Sequence, residues 1–336
     1  MKCILCPRRC RVDRDRGSGY CGERSDVRVA RASLHMWEEP CISGKMGSGT
    51  VFFSGCPLKC VFCQNRKIMS GDRGSVLTPR QLASLFLLLQ DKGAANINLV
   101  TPTHFTPQIA EALRMSKAEG LSIPVVYNTS GYERVETLQM LAGLVDIYLP
   151  DLKYYSGELA ARYSNAPDYF EQASSAISEM VRQAGAPLFD NALPDDQMMR
   201  RGVIVRHMVM PGHVRDSMKV IKYLYDTYKD DIYISIMNQY TPPAAMADHP
   251  EINRRVTRRE YEKVIDYAIA LGVENAFVQE GDTARESFIP DFDEDMYLKE
   301  VSVKSKISHG SFVPAVQSLQ AVERAWLLIW HTDHYR

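Results

Sequence analysis

Ser54-Gly55-Cys56-Pro57-Leu58-Lys59-Cys60-Val61-Phe62-Cys63-Gln64-Asn65 carries three cysteines in a C-x3-C-x2-C spacing. Thiolates at this spacing can wrap three corners of an iron–sulfur cube and leave the fourth iron without a protein ligand. A metal with an open coordination position can act on a bound molecule rather than only carry electrons. The competing reading is a structural zinc site or ordinary buried thiols. Zinc prefers four ligands, and C-x3-C-x2-C is not the usual paired-knuckle spacing. The stretch follows directly on Thr50-Val51-Phe52-Phe53, a short run with strand character, so the cysteines sit where a strand ends.

Outward from that stretch, strand-like and helix-like segments alternate. The strand-like runs are Thr50–Phe53, Ile97–Val100, Pro124–Tyr127, Val145–Leu149, Val203–Arg206 and Ile232–Ile236. They are short and rich in β-branched or aromatic residues, as buried parallel strands are. Between them, Thr78 with Pro79 and Gln81 predicts a capped helix whose apolar face is Leu82, Leu85, Phe86 and Leu89. Thr106-Pro107 is read as a helix start of the same kind, and Thr257 with Glu260 as another capping box. Six βα units in order predict a parallel sheet, open or curled into part of a barrel. In either form a site belongs at the carboxyl ends of the strands. The segment from about 156 to 200, with a polar loop at Asp195-Asp196-Gln197, reads as an insertion, and Val316 to Trp330 as an amphipathic helix without assigned function. No repeat at solenoid spacing is present.

Composition narrows the function classes. Of 336 residues, 45% are hydrophobic and 24% charged, and the net charge is −1, so nothing global favours nucleic acid or an anionic membrane. No apolar run is long enough to cross a bilayer, and the first residues lack a signal-peptide core. A cytoplasmic location is expected, where thiols stay reduced and clustered cysteines more often bind metal than pair as disulfides. All eight cysteines lie between Cys3 and Cys63, which confines metal chemistry to the first fifth of the chain. Cys3, Cys6, Cys10 and Cys21, spaced C-x2-C-x3-C-x10-C, suit zinc or a second iron–sulfur cluster, against the alternative of a loose tail with unreactive thiols. Cys41 reads as a small core residue.

Cys56-x3-Cys60-x-Phe62-Cys63 resembles the signature of the radical S-adenosylmethionine (SAM) superfamily. The resemblance implies a [4Fe–4S] cluster on Cys56, Cys60 and Cys63, SAM bound through its amino and carboxylate groups to the open iron, and Phe62 near the adenine. It also implies a partial (β/α)6 TIM-like barrel, in agreement with the six units. A closer likeness follows. Arg206-His207-Met208-Val209-Met210-Pro211-Gly212 is similar to the Arg-x4-Pro-Gly strand end of pyruvate formate-lyase activating enzymes, and Asp151-Leu152-Lys153 to the Asp-x-Lys of glycyl-radical-enzyme activases. Leu34–Gly44, Tyr127–Tyr132 and Ile147–Asp151 resemble a branch of that activating-enzyme-like family, here with an N-terminal cysteine quartet. The expected organisation is a cysteine-rich extension at 1–45, a radical SAM partial barrel at 46–282 and a tail at 283–336. Expected SAM-binding residues are Phe62, Asn65, Thr103, Asn128, Asp151, Lys153 and Arg206. Many members carry Gly-Gly-Glu-Pro after the second strand; here that place reads Leu99-Val100-Thr101-Pro102-Thr103-His104 and lacks the carboxylate. His104 either lines the pocket or caps a loop. His207 should face away from Arg206, and Tyr240 is expected either at the adenine or in the core.

The chemistry so implied is reductive cleavage of SAM to a 5′-deoxyadenosyl radical that takes hydrogen from a substrate. No side-chain acid or base is needed for the initiating step. A flavodoxin- or ferredoxin-type donor and oxygen sensitivity follow. The activase likeness implies a glycine on a partner protein as the substrate. The alternatives are a small molecule or another protein, and, in a different class, a zinc-stabilised binding module without catalysis.

Overall fold

The computed structural model describes residues 2–190, 197–243, 246–279, 297–298 and 300–301. Asp195-Asp196 and the expected helix at 316–330 lie outside the described residues. The six expected strands all form: β2 (Ser48–Phe53), β4 (Ile97–Val100), β5 (Val125–Thr129), β6 (Ile147–Pro150), β8 (Met199–Met208) and β9 (Tyr233–Met237). Their pairing is parallel throughout, and β10 (Ala276–Val278) adds a further parallel strand beyond β9. The sheet order β10-β9-β8-β6-β5-β4-β2-β1-β3 ends in two different edges, so the barrel is partial and open.

The segment before residue 46 does more than carry cysteines. Its strand β1 (Val27–His35) pairs antiparallel with β2 and with β3 (Ser75–Leu77), extending the barrel sheet. It then runs into α1 (Pro40–Ser43), whose Cys41 and Ile42 are buried. Those two side chains pack with Val126, Ile147, Leu149 and Ile204 on the inner face of the sheet. Cys41 is therefore a core residue at the barrel's base. Asn96 fixes the plug by donating to the Ile42 carbonyl at 2.7 Å.

Helices cover the outer face. In α3 (Pro79–Asp91) the capping box is complete, with Thr78 accepting from the Gln81 N–H and Gln81 accepting from the Thr78 N–H. Leu82, Leu85, Phe86 and Leu89 are fully buried, each contributing about 1.5–3 kcal/mol. In α9 (Arg258–Leu271) Thr257 and Glu260 form the second box. The start of α4 (Thr106–Ala118) differs from expectation. A 3-10 turn at Thr103–Phe105 precedes it, so Thr106 is already helical and its hydroxyl donates backward to the Thr103 carbonyl at 2.9 Å. The insertion contributes α6 (Gly157–Ser164), α7 (Tyr169–Ala184) and the short β7 (Leu188–Phe189), which pairs antiparallel with β8. No helix among the described residues is long and apolar enough to cross a membrane.

Side-chain alternation sets two layers inside the barrel. One contains Asn98, Val126 and Ile147, which are in register; the next, toward the carboxyl ends, contains Val100, Asn128 and Leu149, and beyond it Arg206 is level with Ser235 and Asp151. Charged side chains thus stand at the carboxyl ends, and a site is placed there.

Candidate active site

The loop after β2 is shaped by contacts with the N-terminal segment. Gly55 has φ +81°, and a Cβ there would lie 2.6 Å from the Cys21 carbonyl oxygen, so glycine is required. That close approach lets the Cys56 N–H donate to the Cys21 carbonyl at 3.2 Å. Arg8 reaches across and donates to the carbonyls of Pro57 at 2.9 Å, Leu58 at 3.3 Å and Ser164 at 2.8 Å. Held this way, Cys56, Cys60 and Cys63 all line one cavity of about 560 Å³ at the carboxyl ends of the strands, an ordinary size for a small-molecule site.

Burial pushes the three thiols above their usual range, Cys60 to about 11, and the sulfurs raise one another further. Lys153 opposes this at all three. The Leu58 N–H donates to Cys56 Sγ at 3.4 Å, and Ser164 Oγ to Cys60 Sγ at 3.1 Å. Tyr154 lies 2.8 Å behind Ser164 Oγ. Among the described residues, no three His, Cys, Asp or Glu side chains are set to hold a metal ion. Three thiols on one cavity, with hydrogen-bond donors to Cys56 and Cys60, suit a polynuclear cluster with an open position better than a lone zinc, which takes four ligands. Ser164→Ala should lower the midpoint potential of a cluster on Cys60 by roughly 40 mV, the equivalent of one hydrogen bond of about 1 kcal/mol. An electron paramagnetic resonance (EPR) redox titration with Ser164→Thr as the rescuing control checks this; an unchanged potential would show that Cys60 does not hold the cluster through this bond.

Opposite the thiols lies a charge network. Arg206 Nε is 3.1 Å from Asp151 Oδ1, Nη1 is 3.2 Å from Glu38 Oε2, and Nη2 donates to Asn128 Oδ1. Lys153 pairs with Asp151. Burial disfavours charge on Asp151, but Lys153 and Arg206 hold its carboxyl below the usual range. Glu38 also accepts from Asn98 Nδ2 at 2.8 Å and from Asn128 Nδ2 at 3.3 Å. Burial pushes Glu38 and Glu39 up while Arg206 pulls both back.

Most of the expected residues meet here. Phe62, Asn65, Asn128, Asp151, Lys153 and Arg206 line the cavity with the cysteines. Phe62 is 4% exposed and packs 5.8 Å from the Tyr240 ring. Tyr240 itself is core, its hydroxyl donating to the Ile252 carbonyl at 2.8 Å. Each of the three Arg206 nitrogens is already engaged, so Arg206 organises the carboxylates around it. Thr103 is not brought to the cavity. It is buried in the 3-10 turn and donates to Glu133, while Val100 and Thr101 are the second-strand residues that line the pocket. His104 bonds the Ser54 carbonyl at 2.6 Å and caps the cysteine loop from behind. His207 faces away from Arg206 and bonds the Leu152 carbonyl at 2.7 Å. The residues that sequence reasoning missed are Glu38 and Glu39. Their signal was a pair of acids inside an otherwise apolar run, Leu34-His35-Met36-Trp37-Glu38-Glu39-Pro40.

Glu133, beside Thr103 and Thr129, has its carboxyl raised by burial from 4.5 to about 7. A raised folded value means that its stabilising contribution is complete below about pH 4.5 and lost as pH rises through 7. The loss amounts to about 3 kcal/mol. Glu133→Gln should remove that dependence, so the variant gains on the wild type between pH 5 and pH 8 in denaturant unfolding of the metal-free protein. Parallel pH profiles for the two proteins would disprove it.

A profile of the radical SAM superfamily matches residues 50–224, just over half of the chain. The chain belongs to the radical SAM superfamily. Membership implies a [4Fe–4S] cluster and SAM, and the three thiols on the cavity fit that cluster. An uncharacterized protein of Methanocaldococcus jannaschii is 30% identical over 273 residues, covering 79% of this radical SAM chain and 74% of the relative. Among solved structures, a radical SAM methyltransferase from Sphaerobacter thermophilus is 16% identical, with a TM-score of 0.48 over 69% of this chain and 66% of that one. A domain of a pyruvate-formate lyase-activating enzyme from Bacteroides vulgatus is 12% identical, with a TM-score of 0.38 over 52% of this chain and 91% of that one.

The N-terminal quartet of this radical SAM chain is also gathered. A Cβ at Gly19 would lie 3.3 Å from Cys21 Sγ and 3.5 Å from Cys10 Sγ. Cys10 shares a hydrogen bond with Cys3, and Cys3 and Cys21 both raise Cys6, which burial already pushes up to about 12.

Proposed function

We propose that this radical SAM enzyme takes one electron from a flavodoxin- or ferredoxin-type donor, cleaves SAM reductively, and removes a hydrogen atom from a glycine on a partner protein. A cluster held by Cys56, Cys60 and Cys63 would supply the single electron for reductive cleavage of the S–C5′ bond of SAM, giving methionine and, once the substrate hydrogen is taken, 5′-deoxyadenosine. The observation that carries the reading is the meeting of Cys56, Cys60 and Cys63 with Asp151, Lys153 and Arg206 on one cavity.

The chain's residues supply binding and exclusion of water rather than acid–base chemistry. Lys153 offers an ammonium beside the thiols, suited to the carboxylate of SAM. Phe62 offers an apolar face for adenine. Asn65 and Asn128 offer amide groups for polar parts of SAM. The glycine reading rests on the Asp-x-Lys stretch, whose Asp151 and Lys153 line this cavity, and on the Arg-x4-Pro-Gly stretch, which starts there at Arg206. A second reading, a small molecule or another protein as substrate, is favoured by the carboxylates of Glu38 and Glu39 on the cavity wall. Cys3, Cys6, Cys10 and Cys21 are read as a second metal centre, iron–sulfur or zinc, bracing the cysteine loop through the Cys21 carbonyl.

Anaerobic reconstitution with iron, sulfide and zinc counts, followed by assay of 5′-deoxyadenosine, tests the chemistry. Four irons in excess of any held by the quartet, and reductant-dependent product, are expected. Incubation with glycyl-radical protein candidates should then give a protein radical by EPR. SAM cleavage without such a radical would leave the chemistry standing and remove the glycine substrate.

A further inference from the structure

We propose that Glu39 is the counter-charge for a cationic group, an ammonium or guanidinium, of the molecule that fills the barrel cavity. Glu39 lines the cavity yet is only 8% exposed. It is carried there by the turn between β1 and α1, with Pro40 fixing the start of the helix behind it. Its carboxylate hydrogen-bonds Ser235 on β9. The second oxygen, Oε2, is buried without any hydrogen-bond partner. A buried carboxylate oxygen left unpaired is costly, and a partner in the bound state offsets that cost.

The neighbouring charges show why the partner should be a cation. Among the described residues, the carboxylates on the cavity are Glu38, Glu39 and Asp151, and the fixed cations are Lys153 and Arg206. Arg206 is in contact with both Glu38 and Asp151, and Lys153 with Asp151. Neither cation is in contact with Glu39, which feels Arg206 only through space. One carboxylate therefore exceeds the cations available, and the excess falls on the residue with the open oxygen. The second-strand end, Val100-Thr101-Pro102-Thr103, supplies no carboxylate of its own, so Glu38 and Glu39 are the acids that reach the cavity from outside the parallel strands. The amino nitrogen of SAM is expected as a ligand of the open iron and carries no positive charge there, so the cation is a basic group on the substrate.

This inference rests on SAM occupying the cavity, and the experiment separates the two ideas. Reconstituted wild-type and Glu39→Gln proteins are titrated anaerobically with SAM. The SAM-saturated proteins are then titrated with agmatine and with putrescine, each against a neutral counterpart of equal length. SAM binding should be unchanged in Glu39→Gln, whereas agmatine or putrescine should bind the wild type at least about tenfold more tightly than its neutral counterpart and lose that preference in Glu39→Gln. Glu39→Asp, which keeps the charge, should retain part of that preference. Should Glu39→Gln fail to fold, the wild-type comparisons still decide. Equal affinity for each charged probe and its neutral partner overturns the inference alone. A wild type that binds no SAM overturns the functional reading, and this inference with it.

Discussion

Replacing Cys60 by alanine should strip the cluster from the loop and lower formation of 5′-deoxyadenosine by on the order of a thousandfold, well beyond the 10–100-fold that loss of an outer hydrogen-bond partner costs. Cys60 is buried, lines the same cavity as Cys56 and Cys63, and accepts the Ser164 hydrogen bond. Cys41 cannot substitute. It packs against Val126, Ile147 and Leu149 at the other end of the barrel lumen. Iron and sulfide counts on anaerobically reconstituted protein, with product assay, check the expectation. The matched control is Cys41→Ala, which should keep the cluster and lose only core packing. A Cys60→Ala protein holding its full iron and splitting SAM at the wild-type rate would place the cluster elsewhere.

The second large effect is expected at Arg206, and it is on stability. Arg206→Met should destabilise the metal-free protein by about 3–5 kcal/mol, because Glu38 and Asp151 are then buried without their shared cation. Arg206→Lys should recover little, since one ammonium cannot reproduce a fork aimed at Asp151, Glu38 and Asn128 together. Adding Glu38→Gln to Arg206→Met should restore part of the loss by removing one of the stranded charges. Urea unfolding of these variants, of Glu38→Gln alone and of the wild type measures this. Additive losses in the double variant would mean that Arg206 and Glu38 are not coupled.

Both expectations depend on residues of unequal visibility in the sequence. Cys60 was legible because ligand chemistry demands a residue type at a fixed spacing, and a loop following a strand needs no distant partner to be recognised. Arg206 was legible as a candidate at a strand end, but not as the hub of three acceptors, because Asp151, Glu38 and Asn128 come from separate segments. Thr103 was misplaced by the same limit. Its position after β4 is correct, yet a 3-10 turn rotates it toward Glu133 and leaves Thr101 at the cavity. Glu38 and Glu39 were seen without a role, since nothing local shows that a turn after an antiparallel strand enters the lumen of a parallel barrel.

By itself the sequence determined the order of the six central strands, the parallel pairing that βα alternation requires, the cysteine loop and the side of the sheet on which that loop lies. These follow from local periodicity, capping and ligand spacing, which act over a few residues. Only the tertiary structure decided that the N-terminal segment joins the sheet, that α1 plugs its inner face, and that one guanidinium is shared by acids far apart in the chain. Those outcomes depend on burial and charge pairing between segments up to 168 residues apart, and such energies exist only once the chain has closed around them.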